Sequence, residues 1–250
     1  MFEELYTKGA CDIIRDNADI DFNEEIKLFL CNSKLYSIAS TQLQFIDLFN
    51  KKPEMPLFQE VPEITFNDLI EYINTEEGLE NEKKRCFMNS YELFEKNISE
   101  IIIYIHYKKP QIVLNKENSI KCSELLGEKS KEDIMKELIE KNVNSIMYSK
   151  NIKEIIEFIV RYSKSNIDKD LIGAISAFSK IRNALVHRKG NISKSECLKL
   201  EGFINFENLD NIDLDEITIT LEVNLVGESI QIYREIIKIL CSDLEKIFEK

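Results

Sequence analysis

The sequence predicts a mainly α protein: a helical bundle with a short β-strand or hairpin ahead of its C-terminal helix. Three observations predict it. Only 7 Gly and 4 Pro occur in 250 residues, so structure-breaking punctuation is scarce. Apolar residues recur mostly at intervals of three and four, the helical period. Period-two alternation marks ITITLEV at 217–223, the signal of a half-buried strand. With 44% hydrophobic and 31% charged residues the chain lies in the globular range, which excludes disorder and collagen-like structure.

Taken in order, helices are expected over 2–16 and 24–50. The second carries Ile26, Phe29, Leu30, Leu35, Ile38, Leu43, Phe45, Ile46 and Phe49 on a broad apolar stripe. Three of the 4 prolines then fall in KKPEMPLFQEVPE (51–63), which cannot continue a helix and pushes the residues before each Pro toward extended backbone. This stretch is the best domain boundary. It divides an N-terminal helical extension (1–75), with its Pro-rich linker near 51–63, from a helical domain over 76–250. A short helix is expected at 65–74 and a long one at 80–107, stopped by Pro110. QIVL (111–114) forms a short apolar element. SKED (130–133) has the Ser and the acid three later that open a helix, expected to run to about Lys141. Helices over 152–163 and 169–187, the strand at 217–223 and a helix from about 229 to 249 complete the chain.

Charge and composition narrow the function. The formal net charge of −12 argues against a general nucleic-acid coat, because nonspecific affinity comes from Lys and Arg neutralising phosphates. Six scattered cysteines (11, 31, 86, 122, 197 and 241) without a CxxC read as reduced, mostly buried thiols. Two His cannot build a His-rich metal centre, although a carboxylate magnesium site stays open in so acidic a chain. No cofactor and no metal are called for. The apolar cluster IIIYIHY (101–107) is far short of the roughly 20 residues of a membrane helix, and MFEELYTKGACD lacks a signal peptide's basic start and apolar stretch. A soluble, cytoplasmic protein with no membrane partner is the expectation. With no Gly-rich phosphate loop, Ser nucleophile elbow or H-E-x-x-H, kinase, NTPase, hydrolase and zincin readings lack a foundation.

The stretch that carries chemistry is AISAFSKIRNALVHRKGNIS (174–193). Ile175, Phe178, Ile181, Leu185 and Val186 keep helical spacing, and Gly190-Asn191 is a common way to end a helix in a left-handed turn. His187 should therefore lie in the last turn. Asn183 and His187, four apart, share a face, whereas Arg182 lies about 140° around the axis from His187 at 100° per residue. Between 180 and 199 the basic side chains Lys180, Arg182, Arg188, Lys189, Lys194 and Lys199 face a single acid, Glu196. Such a positive island in a negative protein suits an anionic ligand and would make binding site-specific and salt-dependent.

Arg-Asn-Ala-Leu-Val-His at 182–187 resembles the R-x4-6-H motif of HEPN domains, a family of helical ribonuclease-like proteins, in the form where Asn follows the Arg. The context is similar as well: an Ile before the Arg, a β-branched residue before the His, a Gly and polar turn after it, and a long helical region ahead. The resemblance covers roughly residues 80–250. It implies a bundle that dimerises so that two motif copies face each other across a cleft. Many such proteins are metal-independent endoribonucleases of toxin–antitoxin, abortive-infection and CRISPR-linked antiviral defence systems; others are noncatalytic RNA-binding or assembly modules. Carried onto this chain, it assigns catalysis to Arg182 and His187, with Asn183 in support. The implied partners are RNA, a second copy of the chain, and an antitoxin or other defence-system protein. A nucleotidyltransferase often accompanies these domains, but its Gly-Ser and paired-Asp pattern is absent from the N-terminal segment.

The chemistry stands on its own terms. When a 2′-hydroxyl attacks the adjacent phosphorus, the site needs a proton carrier near neutral pH, which His187 supplies, and a cation for the developing charge, which the fork of Arg182 supplies. Asn183 would orient His187 or bond the phosphate, while Arg188, Lys189 and Lys180 would hold the flanking backbone. The products would carry a 2′,3′-cyclic phosphate and a 5′-hydroxyl. The plainer alternative makes Arg182 and His187 helix-terminal residues that cap carbonyls or pair with acids. His106, in YIHYKKP, reads as structural, as do Tyr104 and Tyr107 beside it. The acidic groups Glu24-Glu25, Glu76-Glu77 and Asp213-Asp215-Glu216 read as solvated surface.

Overall fold

A computed structural model describes residues 9–42, 76–113, 130–197, 200 and 216–249. Among them are helices α1 (Ala10–Gln42), α2 (Glu76–Lys108), α3 (Lys131–Ser149), α4 (Ile152–Ser163) and α5 (Lys169–His187). Strand β1 (Asn191–Ser193), the single turn α6 (Lys194–Cys197), strand β2 (Glu216–Thr218) and helix α7 (Val223–Phe248) follow. The mainly helical class, with a small antiparallel β pair ahead of the last helix, is as the sequence predicts. The proline-rich stretch at 51–63, the helix expected at 65–74 and the boundary at 75 lie outside the described residues.

Helix α2 is the axis of the bundle. Six consecutive residues, Ile101 to His106, are buried, and a helix covered with apolar groups on every side must be packed on every side. Helices α1, α3, α4, α5 and α7 all contact it. Pro110 ends it: the Lys109 N–H still reaches Ile105 O at 2.9 Å, and Pro110–Ile112 then forms one 3₁₀ turn. Tyr233 of α7 ties four helices together. Its ring stacks on Phe94 of α2 (4.7 Å between centroids) and on Phe22 of α1 (6.2 Å). It meets Tyr91 of α2 and Phe178 of α5 edge-on at 6.0 and 5.8 Å. Truncation at this point would cost about 3–5 kcal/mol.

Helix α1 runs unbroken through residues 17–23, where the sequence reading leaves a gap between two helices. The segment NADIDFN is rich in poor helix formers, but Ala18 and Phe22 continue the series Cys11, Ile14, Ala18, Phe22, Ile26 and Phe29 at three- and four-residue steps, all buried except the partly buried Ile26. Its polar residues bind other helices: Lys96 of α2 pairs with Asp21 at 2.8 Å, and Arg234 Nη2 of α7 donates to Asn23 Oδ1 at 2.7 Å. Farther along, Arg85 of α2 meets Glu25 of α1 at 2.9 Å and its own neighbour Glu82 at 2.7 Å. Helix α1 thus shares one core with α2 and α7.

Two other helices are longer than the sequence expects. Helix α3 opens on the expected Ser130–Asp133 capping box but continues beyond Lys141 to Ser149, because Val143 and Ile146 keep its buried face and Asn142 donates to His106 Nε2 at 2.8 Å. Helix α7 begins at Val223 rather than near 229. Glu222 caps it without a side-chain hydrogen bond, and Gly227 sits in its second turn, so no start signal is written there. The strand expected over 217–223 is accordingly short. It pairs Asn191 with Thr218, Ile192 with Ile217 and Ser193 with Glu216.

Candidate functional site on helix α5

Helix α5 is positioned by what it buries. Asp168 caps its start by accepting the Asp170 N–H at 3.0 Å, and Ala174, Ile175, Ala177, Phe178, Ile181 and Ala184 face the core. The opposite face is open: Lys180, Asn183 and His187 are exposed at three- and four-residue steps, with exposed Val186 beside them. The chain then reverses. Lys189 and Gly190 take positive φ of 53° and 85°, and the Gly190 N–H bonds back to Ala184 O at 2.9 Å. Gly190 O accepts the Ile219 N–H at 2.8 Å, so the turn that ends α5 also starts the β pair. Lys189 is left exposed at the tip.

Arg182 occupies the edge between the open face and α2. Its guanidinium carbon lies 6.0 Å from the centroid of the Tyr91 ring. Nη1 donates to Asn183 Oδ1 at 3.3 Å, and Nε is buried with no hydrogen-bond acceptor. Tyr91 is fixed from below: its hydroxyl bonds Ser179, and burial pushes that phenol up to about 12. Glu95, one turn along α2, faces Arg182 electrostatically. Burial raises its carboxyl above the usual range, the Arg182 charge opposes that rise, and Glu92 adds to it.

Arg188 has a committed partner. Its guanidinium grips Glu196 with both nitrogens, Nη1 to Oε2 at 2.7 Å and Nη2 to Oε1 at 2.9 Å. Glu196 Oε2 also accepts the Ser193 N–H and hydroxyl, each at 3.0 Å. Arg188 holds the Glu196 carboxyl down to about 2, with the Ser193 N–H contributing next. Of the residues nominated from the sequence, Lys180, Asn183, His187 and Lys189 are thus presented to solvent, Arg182 is half-buried at their edge, and Arg188 braces the turn. Lys199 and the Lys194 side chain lie outside the described positions.

Sequence reasoning misses Tyr91, Glu95 and Ser179. Tyr91 and Glu95 are about ninety positions away and meet Arg182 only because α2 and α5 pack together, and nothing local marks them. His106 is a satisfied core residue. It is fully buried, its ring stacks near Phe158 (5.8 Å), Nδ1 faces Ile102 O at 2.8 Å and Nε2 faces the Asn142 amide. Burial lowers its pKa against the raising effect of the Ile102 carbonyl.

Among the described residues no group of three or more His, Cys, Asp or Glu is placed to hold a metal ion, and no helix is long and apolar enough to cross a membrane. No family model, curated protein or solved structure matches this chain.

Proposed function

We propose that the chain is a metal-independent endoribonuclease of HEPN type, cutting RNA by 2′-hydroxyl attack at a site completed across a homodimer, in bacterial antiviral defence or a toxin–antitoxin system. The observation that carries this reading is the open face of α5, where Lys180, Asn183 and His187 stand in one exposed row with Arg182 at its edge. His187 would move the proton, Arg182 would neutralise the charge that develops on phosphorus oxygens, and Lys180 and Lys189 would hold the strand on either side. A convex helix face cannot enclose a phosphodiester by itself, so a second copy laid against it supplies the opposing wall. The Nε of Arg182, buried without an acceptor, has an unused donor that a small turn of the side chain brings toward a bound anion.

The second reading, a noncatalytic helical dimerisation or RNA-binding module, draws on the way Arg182 leans on Tyr91 and faces Glu95 instead of projecting into solvent. Incubating the purified chain with total RNA and tRNA in EDTA separates the two. New cyclic-phosphate ends that disappear in His187→Ala support the nuclease. A chain that is dimeric by light scattering yet leaves every RNA intact favours the binding module, and a monomer at micromolar concentration overturns the composite site.

A further inference from the structure

The C-terminal ends of α2 and α4 meet beside the last turn of α7, and two lysines lie over aromatic rings there. Lys109 Nζ is 5.4 Å from the centroid of the Tyr162 ring of α4 and 5.4 Å from that of Phe248 of α7. Its neighbour Lys108 places Nζ 5.3 Å from the Tyr104 centroid and 5.9 Å from that of Tyr107. The two tyrosines differ in exposure: Tyr104 is fully buried, whereas Tyr107 is 40% exposed. Among the described residues neither lysine is paired with a carboxylate. The acids at this end of the bundle are engaged elsewhere. Asp243 pairs with Lys246 at 2.7 Å, and Glu245 faces Arg15 at 3.9 Å. Glu249 Oε1 accepts the Tyr104 hydroxyl at 3.2 Å and the Gly9 N–H at 3.0 Å. A helix C-terminus attracts an ammonium only within its last turn, and Arg161 and Lys164 add two exposed cations beside Tyr162. Positive charge therefore faces solvent here in a chain whose net charge is −12.

We propose that the Lys108–Lys109 corner is a second contact for single-stranded RNA, in which the two ammonium groups bind phosphates and Tyr107 stacks on a base. The proposal rests on the reading of the chain as an RNA enzyme and extends it: the strand cut at α5 is also held at the end of α2. Single-stranded RNA fits this corner because it offers phosphates and flat bases side by side, the pair of features that lysines interleaved with aromatic rings bind. Tyr91, which lies beneath Arg182, and Lys108 are about 25 Å apart along α2 at about 1.5 Å per residue. About seven stacked nucleotides, at about 3.4 Å each, span that length.

The test uses the full chain and a labelled 2′-O-methyl oligouridine of about 12 nucleotides, long enough to reach both contacts. It lacks the attacking hydroxyl, so binding is read apart from cleavage. Lys108→Gln with Lys109→Gln should weaken binding about five- to twentyfold and lower the slope of log affinity against log salt by about 1.4, the loss of two phosphate contacts. Tyr107→Ser should weaken binding about fivefold or more, and Tyr107→Phe, which keeps the ring, should restore it. Lys27→Gln with Lys34→Gln on α1 makes the same change in net charge and should bind within about twofold of wild type. A Lys108–Lys109 double variant that binds as well as this control overturns the corner and leaves the α5 reading standing. Loss of binding in that variant, with a cleavable RNA left intact by the wild type, supports the corner and removes the nuclease. A wild type that does not bind the oligomer at micromolar concentration overturns both.

Discussion

Arg182 lies over Tyr91, with its guanidinium carbon 6.0 Å from the ring centroid, and Tyr91 meets Tyr233 at the centre of the bundle. The residue proposed to meet phosphate is therefore set on the aromatic core and does not hang from a free helix face. Arg182→Lys keeps the charge but loses the planar fork that stacks on Tyr91. We expect cleavage to fall about 10²-fold or more, near the loss for removing one charge-stabilising donor, with the melting temperature changed by only a few degrees.

Glu95 is the carboxyl facing Arg182 at that site. Burial raises it against the opposing Arg182 charge, so the folded chain holds this proton more tightly than the unfolded chain does. Whatever stability this contributes is present below the ordinary carboxylate pKa and is lost as pH rises through the raised value. Glu95→Gln should stabilise the protein more at pH 8 than at pH 5 in urea titrations. It should also tighten RNA binding about two- to fivefold, the equivalent of a partly solvated charge pair. Weaker binding would show that Glu95 orients Arg182 for the ligand and does not compete with it.

Two glycines should respond oppositely to alanine. Gly190 has φ +85°, and its replacement strains the turn behind His187 although a Cβ would find 3.6 Å to Leu185; the expected cost is about 1–2 kcal/mol. Gly227 is helical with nothing within 4 Å of an added Cβ, and alanine there should add about 0.5–1 kcal/mol. Denaturant midpoints of the two variants measure both.

Acid should weaken the fold in two steps. His106 has a lowered pKa from burial, so its contribution is complete above about 6.5 and is lost as pH falls below that value, at up to about 1.4 kcal/mol per pH unit. Glu196, held down to about 2 by Arg188, contributes above the ordinary carboxylate range and loses that contribution as pH falls toward 2. The second step is smaller, since Arg188 is 42% exposed and the pair is partly screened. Unfolding curves at pH 7.5, 5.5 and 3.5 resolve the two, and His106→Gln should remove only the upper one.

These dependences show what the sequence could display. The α5 boundaries were legible because Asp168, the apolar spacing from Ile175 to Leu185 and Gly190 all mark them locally. The unbroken α1 was not, because Asn17, Asp19 and Asp21 disfavour helix and only burial of Ala18 and Phe22, with ion pairing of the acids to α2 and α7, keeps it helical. The site was half-legible for the same reason. His187, Asn183 and Lys180 form a pattern within one helix, whereas Tyr91 and Glu95 reach Arg182 from another. The commitment of Arg188 to Glu196 depends on a turn whose shape a charge count does not reveal.

The central claim is that the open face of α5 binds RNA and that His187 cleaves it. The most direct measurement follows binding and cleavage of one labelled RNA, in EDTA, by the wild type and by His187→Ala. We predict that the two bind within about twofold of each other while cleavage falls at least about 10²-fold in the variant, as for loss of a proton-transfer group. Equal cleavage by both, or binding without any cleavage by a dimeric wild type, would contradict the account.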